Sequence, residues 1–578
     1  MRRKDMEASF RYNRSPIVIK TFLSILIPTI LMNLTTAIGS MADAVIIGQY
    51  LDELSLSVVT YATPIYMIIN TIAALFAVGG CIAMSVDTGK GEKRAANRSF
   101  SVSMECLALL AAILLTAGIL FSGKITCWLG AGSAEVFEQV RTYVQIILIG
   151  APVFVMNIAI AFFVRNDGSP TLSMVGMLLS IAVDIIFNLV FVGMMNMGVA
   201  GAAYSTVLGQ AVSIVVISSH FFSTKNTLRF FFAFDLSVFR IIKNGIGSAL
   251  TFVYQFVTII ILNHYVVLMA GANGVVIYTV VFNLCTVSLA VFEGLSQTIQ
   301  PMVSVYYGEN SNKKIKGSVK LAVLSAIVIC SSVMLVLELF PQIVPWLFGI
   351  EEIGLIEQAS LAVRIYTVSM LIMTVNVIIG YYLQSIEMGS MASGLISLRC
   401  CILFLASMFV LGSLFGLNGI WAAYFVAEFL TFVVFVIWNF AKRKKLAKEG
   451  KDADVFFLDK NVEKSTCSLV FSKSRGDYDH FQNEVKLRMA QDGNFCEPLM
   501  EMVSSYLVKL QPVAEEKKKQ YIEVEMNSFY HKMIIRDNVN HAAVQDEFGQ
   551  LCQGGTEAEY SPVLGWNRLY IKGVEGNE

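Results

Sequence analysis

Long apolar stretches recur along this chain from Ile17 to Phe440. A helix needs about 20 apolar residues to cross about 30 Å of hydrocarbon. Twelve stretches reach that length: 17–44, 54–80, 98–122, 137–163, 171–194, 199–221, 240–268, 274–300, 318–340, 358–384, 392–414 and 417–440. Open strands would leave backbone groups unsatisfied in lipid, so these are read as helices. The composition agrees, with 56 % hydrophobic and 15 % charged residues. Soluble chains carry about 25 % charged residues. The chain is therefore expected to be an all-α polytopic membrane protein and not an enzyme. Ordinary soluble and disordered classes are excluded. The basic stretch Met1–Lys20 precedes an apolar run too long for a signal-peptide core, so that run is read as the first span. The ten cysteines form no C-x-x-C pair and read as small apolar residues.

Basic residues mark alternate loops. They gather in the N-terminal segment, at Lys90–Arg98, at Arg165, at Lys225–Lys243, at Lys313–Lys320 and in the run Lys442–Lys445. The intervening loops are nearly free of them. The positive-inside rule then places both termini in the cytoplasm. After Lys445 the character changes. Residues 446–578 hold 16 basic and 22 acidic residues, and residues 1–445 hold 27 and 21. The formal charge of zero thus divides into about +6 and about −6. The tail is expected to be a small α+β soluble domain, joined through a linker near Lys442–Asp454.

The two sets of six spans resemble each other. GKGEKRAANRSF after span 2 has a counterpart in YGENSNKKIKGSVK after span 8. FVRNDGSPTLSMVGMLLS pairs with YLQSIEMGSMASGLISL, and MGVAGAAYSTVLGQ with FGLNGIWAAYFVAE. Six helices return the chain to its starting side, so the repeats are parallel. The expected organisation is an N-terminal lobe (1–225), a C-terminal lobe (226–445) and a cytoplasmic domain (446–578), with a cavity between lobes and alternating access.

Charges inside spans are expensive and read as functional candidates. Asp43 lies near the outer end of span 1. Asp184 is in span 5, about 20 Å from its inner end, and Asn188 follows one turn later on the same face. Thr206 in span 6 reaches a similar depth. Two carboxylates, an amide and a hydroxyl are hard oxygen ligands, suited to a proton relay or to Na+ at Asp43 and Asp184. Helix capping and bundle hydrogen bonds are the structural alternative. The second lobe offers Glu293, Arg399 and Glu428, where Arg399 is expected to pair with a carboxylate. Pro28 and Pro301 are candidate bends.

At these residues the chain resembles the multidrug and toxic compound extrusion (MATE) family, over about 15–440. The resemblance is carried by IPTILMNLTTAIGSMADAVIIGQYL, Pro64 with GKGEKRAAN, VRNDGSPTLSMVGMLLSIAVDIIFNLVFV, MGVAGAAYSTVLGQ, GLSQTIQPMVSVYYGE and FGLNGIWAAYF. The VRNDGSP segment is most similar to the bacterial MepA-type branch. The family implies a V-shaped pair of lobes and export of cationic or amphiphilic compounds against entry of H+ or Na+, with no other cofactor. Its span 1 acid matches Asp43 and its span 6 threonine Thr206. Its span 4 asparagine matches Asn157, and a span 7 glutamate falls at Gln255, which cannot titrate. Its Asn-x-x-x-Asp of span 5 is reversed here as Asp184 and Asn188.

In the tail, YIEVEMNSFYHKMIIRDN reads as two strands ending at Asp537. With SPVLGWNRLYIKG it is weakly similar to ATP-binding domains of histidine kinases and anti-sigma factors. Ser505 stands where that family holds magnesium with Asn, and Val539 replaces a Gly, so a degenerate regulatory module is expected. The expectation for the whole is a monomeric multidrug antiporter in a bacterial plasma membrane. Its partners are small-molecule substrates and the bilayer, with a possible cytoplasmic protein at the tail and no nucleic acid. A flippase for a lipid-linked precursor and a transport-derived sensor are the alternatives.

Overall fold

The computed structural model describes residues 16–51, 53–129, 134–233, 235–450, 452–472, 478–492, 501, 503–508, 510, 521–530, 532–538 and 557–572. Ten helices are long and apolar enough to cross a membrane, and two bent pairs complete twelve spans. Spans 1 to 3 are Pro16–Tyr50, Val58–Gly89 and Lys93–Trp128. Span 4 is the pair Val136–Ile149 and Ala151–Asn166, and spans 5 and 6 are Pro170–Met194 and Gly198–Phe222. Spans 7 to 9 are Ser237–Gly271, Asn273–Gly308 and Asn312–Leu339. Span 10 is the pair Ile353–Thr367 and Met370–Ser385, and spans 11 and 12 are Gly389–Phe415 and Leu417–Lys448.

The two halves share their irregularities. Span 4 bends by 46° and span 10 by 43°. Span 5 ends in a π turn, Leu189–Met194, and span 11 carries one at Leu398–Ile402. Such turns lodge an extra residue in a helix and often mark functional sites. Pro28 and Pro301, the candidate bends, both lie inside continuous helices. The breaks in the helices fall in spans 4 and 10. In span 4 Gly150 sits at the break with Pro152 just beyond, where a missing N–H is tolerated at a helix start. Span 12 also runs through the basic Lys442–Lys445 to Lys448, so the linker is shorter than expected.

The halves meet through glycines on the tail-bearing side. A Cβ on Gly245 of span 7 would lie 1.8 Å from Leu75 O of span 2, and one on Gly79 would lie 2.1 Å from Ile241 O. Further along, a Cβ on Gly89 would lie 2.2 Å from Val305 O, and one on Gly308 would lie 2.1 Å from Val86 O. These backbones touch because no side chain separates them.

The tail forms an antiparallel five-stranded sheet of order β1-β2-β3-β5-β4. The strands are β1 Thr466–Ser472, β2 Tyr521–Asn527, β3 Lys532–Asp537, β4 Glu557–Val563 and β5 Trp566–Lys572. Period-2 alternation gives the sheet two faces. Ile522, Val524, Met526, Met533, Ile535, Leu569 and Ile571 pack against Phe481, Val485 and Met489 of helix Tyr478–Asp492. Glu523, Glu525, Lys532, Arg536 and Arg568 occupy the other face, yet are buried. That face rests on the membrane part, where loop 8–9 supplies the opposite charges. Ser505 is half-buried on the tail side, while Val539 lies outside the described residues.

Candidate functional site

The polar cluster of the first half is assembled from spans 1, 5 and 6. Asn188 Nδ2 donates to Asp43 Oδ1 at 3.0 Å. Asp184 is buried, and close enough to Asp43 for the two charges to repel. The Ser205 and Thr206 side chains lie beside Asp184. Thr206 Oγ1 itself donates to Ala202 O at 2.9 Å, along its own helix. Asp184 Oδ1 and Asn188 Oδ1 are buried acceptors without a hydrogen-bond partner among the described residues. No basic side chain pairs with either carboxylate among the described residues. Tyr66 and Tyr143 form the neighbouring wall, their hydroxyls 3.1 Å apart. Reversal of the Asp/Asn order is therefore accommodated, because Asn188 reaches span 1 and Asp184 turns to span 6.

Asn157 stands apart from this cluster. It is fully buried and hydrogen-bonds Gln210 and the Met177 sulfur. Gln255 and Glu293 are half-buried and make no hydrogen bond among the described residues.

The second half answers with a neutralised pair. Arg399 Nε donates to Glu428 Oε1 at 2.6 Å, and Asn376 Nδ2 donates to Glu428 Oε2 at 2.7 Å. Buried charges need this kind of pairing. The expected pairing of Arg399 is thus found, with Glu428 as the carboxylate.

Sequence reasoning missed the seam between the halves. Arg165, read as a loop residue, is buried near the end of span 4. It donates to Gln297 Oε1 at 2.9 Å and Gln300 Oε1 at 3.3 Å, both in span 8. Gln297 Nε2 continues to Asn33 Oδ1 at 3.3 Å and Tyr381 OH at 3.1 Å, linking spans 1 and 10. At the tail-bearing end Arg240 of span 7 grips the buried Asp87 of span 2 at 2.8 and 2.9 Å, and Glu387 at 2.6 Å. The signal for Arg165 was its place inside AIAFFVRN, still in apolar sequence.

Twelve spans in two like halves, a buried acid cluster in one and a polar seam between them define a membrane transporter, not an enzyme. A family model described as MatE matches residues 28–190 and 245–410, a segment in each half. The chain belongs to this family, the MATE transporters. It is similar to the Multidrug export protein MepA of Staphylococcus haemolyticus, 23 % identical over 448 residues, which cover 76 % of this chain and 98 % of that protein. The protein of the same description from Staphylococcus aureus strain bovine RF122 / ET3-1 is 22 % identical over 459 residues, covering 77 % and 98 %. A crystal structure of MATE in complex with MaL6 superposes with a TM-score of 0.70 at 21 % identity, covering 74 % of this chain and 97 % of that one. An outward-facing conformation of a multidrug resistance MATE family transporter of the MOP superfamily gives 0.68 at 21 % identity, covering 74 % and 96 %. These likenesses show the fold.

Proposed function

We propose that the protein is a multidrug antiporter. It exports cationic or amphiphilic small molecules from a bacterium across the plasma membrane, in exchange for H+ or Na+. The tail-bearing side is the cytoplasm, because the basic loops lie there. The functional units are the lobes 1–225 and 226–445 and the domain 446–578, working as a monomer. Relatives named as multidrug export proteins support the substrate class.

One observation carries the coupling assignment. Asp43 and Asp184 share a buried site with Asn188 and have no cationic partner among the described residues. Two close carboxylates in low dielectric favour taking up a positive charge, a proton or Na+. An ion shifts the balance between inward- and outward-open states only through different affinity in the two. Span 1 carries Asp43 and also the seam residue Asn33, so occupancy of the site acts on a helix that contacts both halves.

Proteoliposomes loaded with a cationic dye test the reading under separate pH and Na+ jumps. Asp43→Asn and Asp184→Asn should each abolish jump-driven dye movement while leaving dye binding in place. Jump-driven export at the unaltered rate in both variants would sink the assignment. Whichever jump drives the unaltered protein identifies the ion.

A further inference from the structure

The tail sheet does more than rest beside the transporter, for it spans the line along which the two lobes must part. On the second lobe the anchorage is extensive. Glu309, in the loop after span 8, is buried between Arg536 of β3 and Arg568 of β5. Lys532 donates to the Glu309 carbonyl. Lys314 lies 2.7 Å from Glu523 and 2.6 Å from Glu525 of β2. Asn312 Nδ2 donates to Asp459 O at 2.8 Å, and Tyr382 OH to Phe456 O at 2.6 Å.

Contact with the first lobe runs mainly through β4 and β5, with Lys20 of span 1 also 3.8 Å over the Tyr521 ring of β2. Arg568 Nη1 reaches Glu309 Oε1 at 3.2 Å and also Gly89 O, at the end of span 2, at 3.5 Å. Lys93 of span 3 lies 3.5 Å from Glu559 and donates to Tyr560 O at 2.9 Å. The β4–β5 turn, Leu564–Gly565, has φ of 55° and 79°, the geometry of a tight hairpin. It drives Val563 and Leu564 into the apolar cluster of Phe22, Leu295 and Met302. Trp566 Nε1 then donates to Thr21 Oγ1 of span 1 at 2.8 Å.

We infer that the tail is a built-in latch, in which Arg568 and the β4–β5 hairpin tie the loop after span 2 to the loop after span 8 and so hold the cytoplasmic side shut. The two loops are the repeat pair seen in the sequence. Gly89 and Gly308 touch between them, so parting the lobes there separates Gly89 O from Glu309. Arg568 cannot keep both bonds through such a movement. The tail therefore lets go of the first lobe and stays on the second, where most of its ion pairs lie. Each cycle of inward opening must break the smaller contact, which makes the tail a brake on turnover. The inference rests on the alternating-access reading above.

The test measures distances on the full chain in nanodiscs, without substrate. Labels on unnatural amino acids replace the exposed Arg94 of lobe one and Ser390 of lobe two. Arg568→Met should raise the long-distance population at least fivefold over the unaltered protein. Lys93→Glu should move it the same way by about twofold, and Lys93→Met, which removes the attraction to Glu559 without adding repulsion, by less. Hydrogen exchange of β2 reports whether the tail is still folded in Arg568→Met. If that fold is lost, the variants at the exposed Lys93 decide. Distance distributions superimposable on the unaltered protein in every folded variant overturn the latch. A shifted distribution alongside no dye export by the unaltered protein keeps the latch and overturns the antiport reading, and export by the unaltered protein with unshifted distributions does the reverse.

Discussion

Replacing Lys314 by Met should reverse the pH dependence of tail docking. Lys314 carries the only ammonium between Glu523 and Glu525 among the described residues, and all three side chains are at most 6 % exposed. Arg536 Nη1 stands further off, at 3.6 and 3.7 Å. Burial alone would raise the Glu525 carboxyl, but Lys314 and Arg536 outweigh it and hold it down at about 2, against 4.5 when free. At ~1.36 kcal/mol per tenfold, that displacement corresponds to about 3 kcal/mol. Removing one partner of a buried pair costs ~3–5 kcal/mol by independent measure. The docked-to-released ratio should therefore fall on the order of a hundredfold in Lys314→Met near neutral pH.

The sign of the pH response is the sharper test. In the unaltered protein Glu525 is depressed in the docked state, so its contribution is complete above 4.5 and is lost as pH falls from 4.5 towards about 2. In Lys314→Met two buried carboxylates face each other without their ammonium. One of them binds a proton more readily when docked than when released, so docking strengthens as pH falls from neutral. Hydrogen exchange of β2 and β3 in the full chain, measured in steps from pH 7 to about 2, reads both slopes. Equal protection and an unchanged slope in the variant would refute the electrostatic account of the interface.

Lys532 gives a second titration on the same face. Burial, only partly opposed by Glu309 and Glu525, lowers it to about 8 from 10.5. Because the docked state favours the neutral amine, docking should strengthen as pH rises through 8 towards 10.5, again read by exchange of β3. In the membrane, Glu428→Gln should lower thermal stability in nanodiscs by ~3–5 kcal/mol by stranding Arg399. The double variant Arg399→Leu with Glu428→Leu should recover most of that loss, as a thermal-shift series would show. Gly245→Leu places atoms where a Cβ already lies 1.8 Å from Leu75 O. It should force spans 2 and 7 apart and lengthen the cytoplasmic label distance.

The spans were legible because hydrocarbon imposes a length and an apolar run that sequence displays directly. The repeat, too, was legible, since its loops keep glycines and basic residues in matching places. Asp43, Asp184 and Asn188 could be singled out because polar residues are rare in lipid-adapted helices, and the structure brings them together. The partners of Arg165 could not be read. Gln297 and Gln300 are far along the chain, and a neutral amide gives no charge signal in an apolar span. The burial of Glu523, Glu525, Arg536 and Arg568 was hidden for a related reason. Alternating apolar and charged residues ordinarily mean a strand with one wet face. Only the docking of that face on Glu309 and Lys314 makes it an interior, and no local pattern encodes the encounter.

The two lobes also differ in a way that bears on where energy is coupled. Their backbones repeat the same bends and π turns, yet their buried charges fall at different positions of the repeat. In the second lobe Asn376 with Glu428 repeats the Asn157–Gln210 contact of the first, and Arg399 pairs with that carboxylate so that the two charges cancel. A cancelled pair has little reason to bind an incoming cation, because the arginine already occupies the carboxylate. The first lobe leaves Asp43 and Asp184 with amides and hydroxyls alone, and two buried acceptors unfilled. The same fold thus holds one locked site and one open site. Uptake of a single positive charge halves the net negative charge of the two carboxylates in the first lobe and so relieves their repulsion. The Arg399–Glu428 pair undergoes no such change. On the proposed antiport reading, coupling in the first lobe and anchorage of the tail on the second divide the work: one lobe takes up the ion, and the other carries the latch that its movement must break.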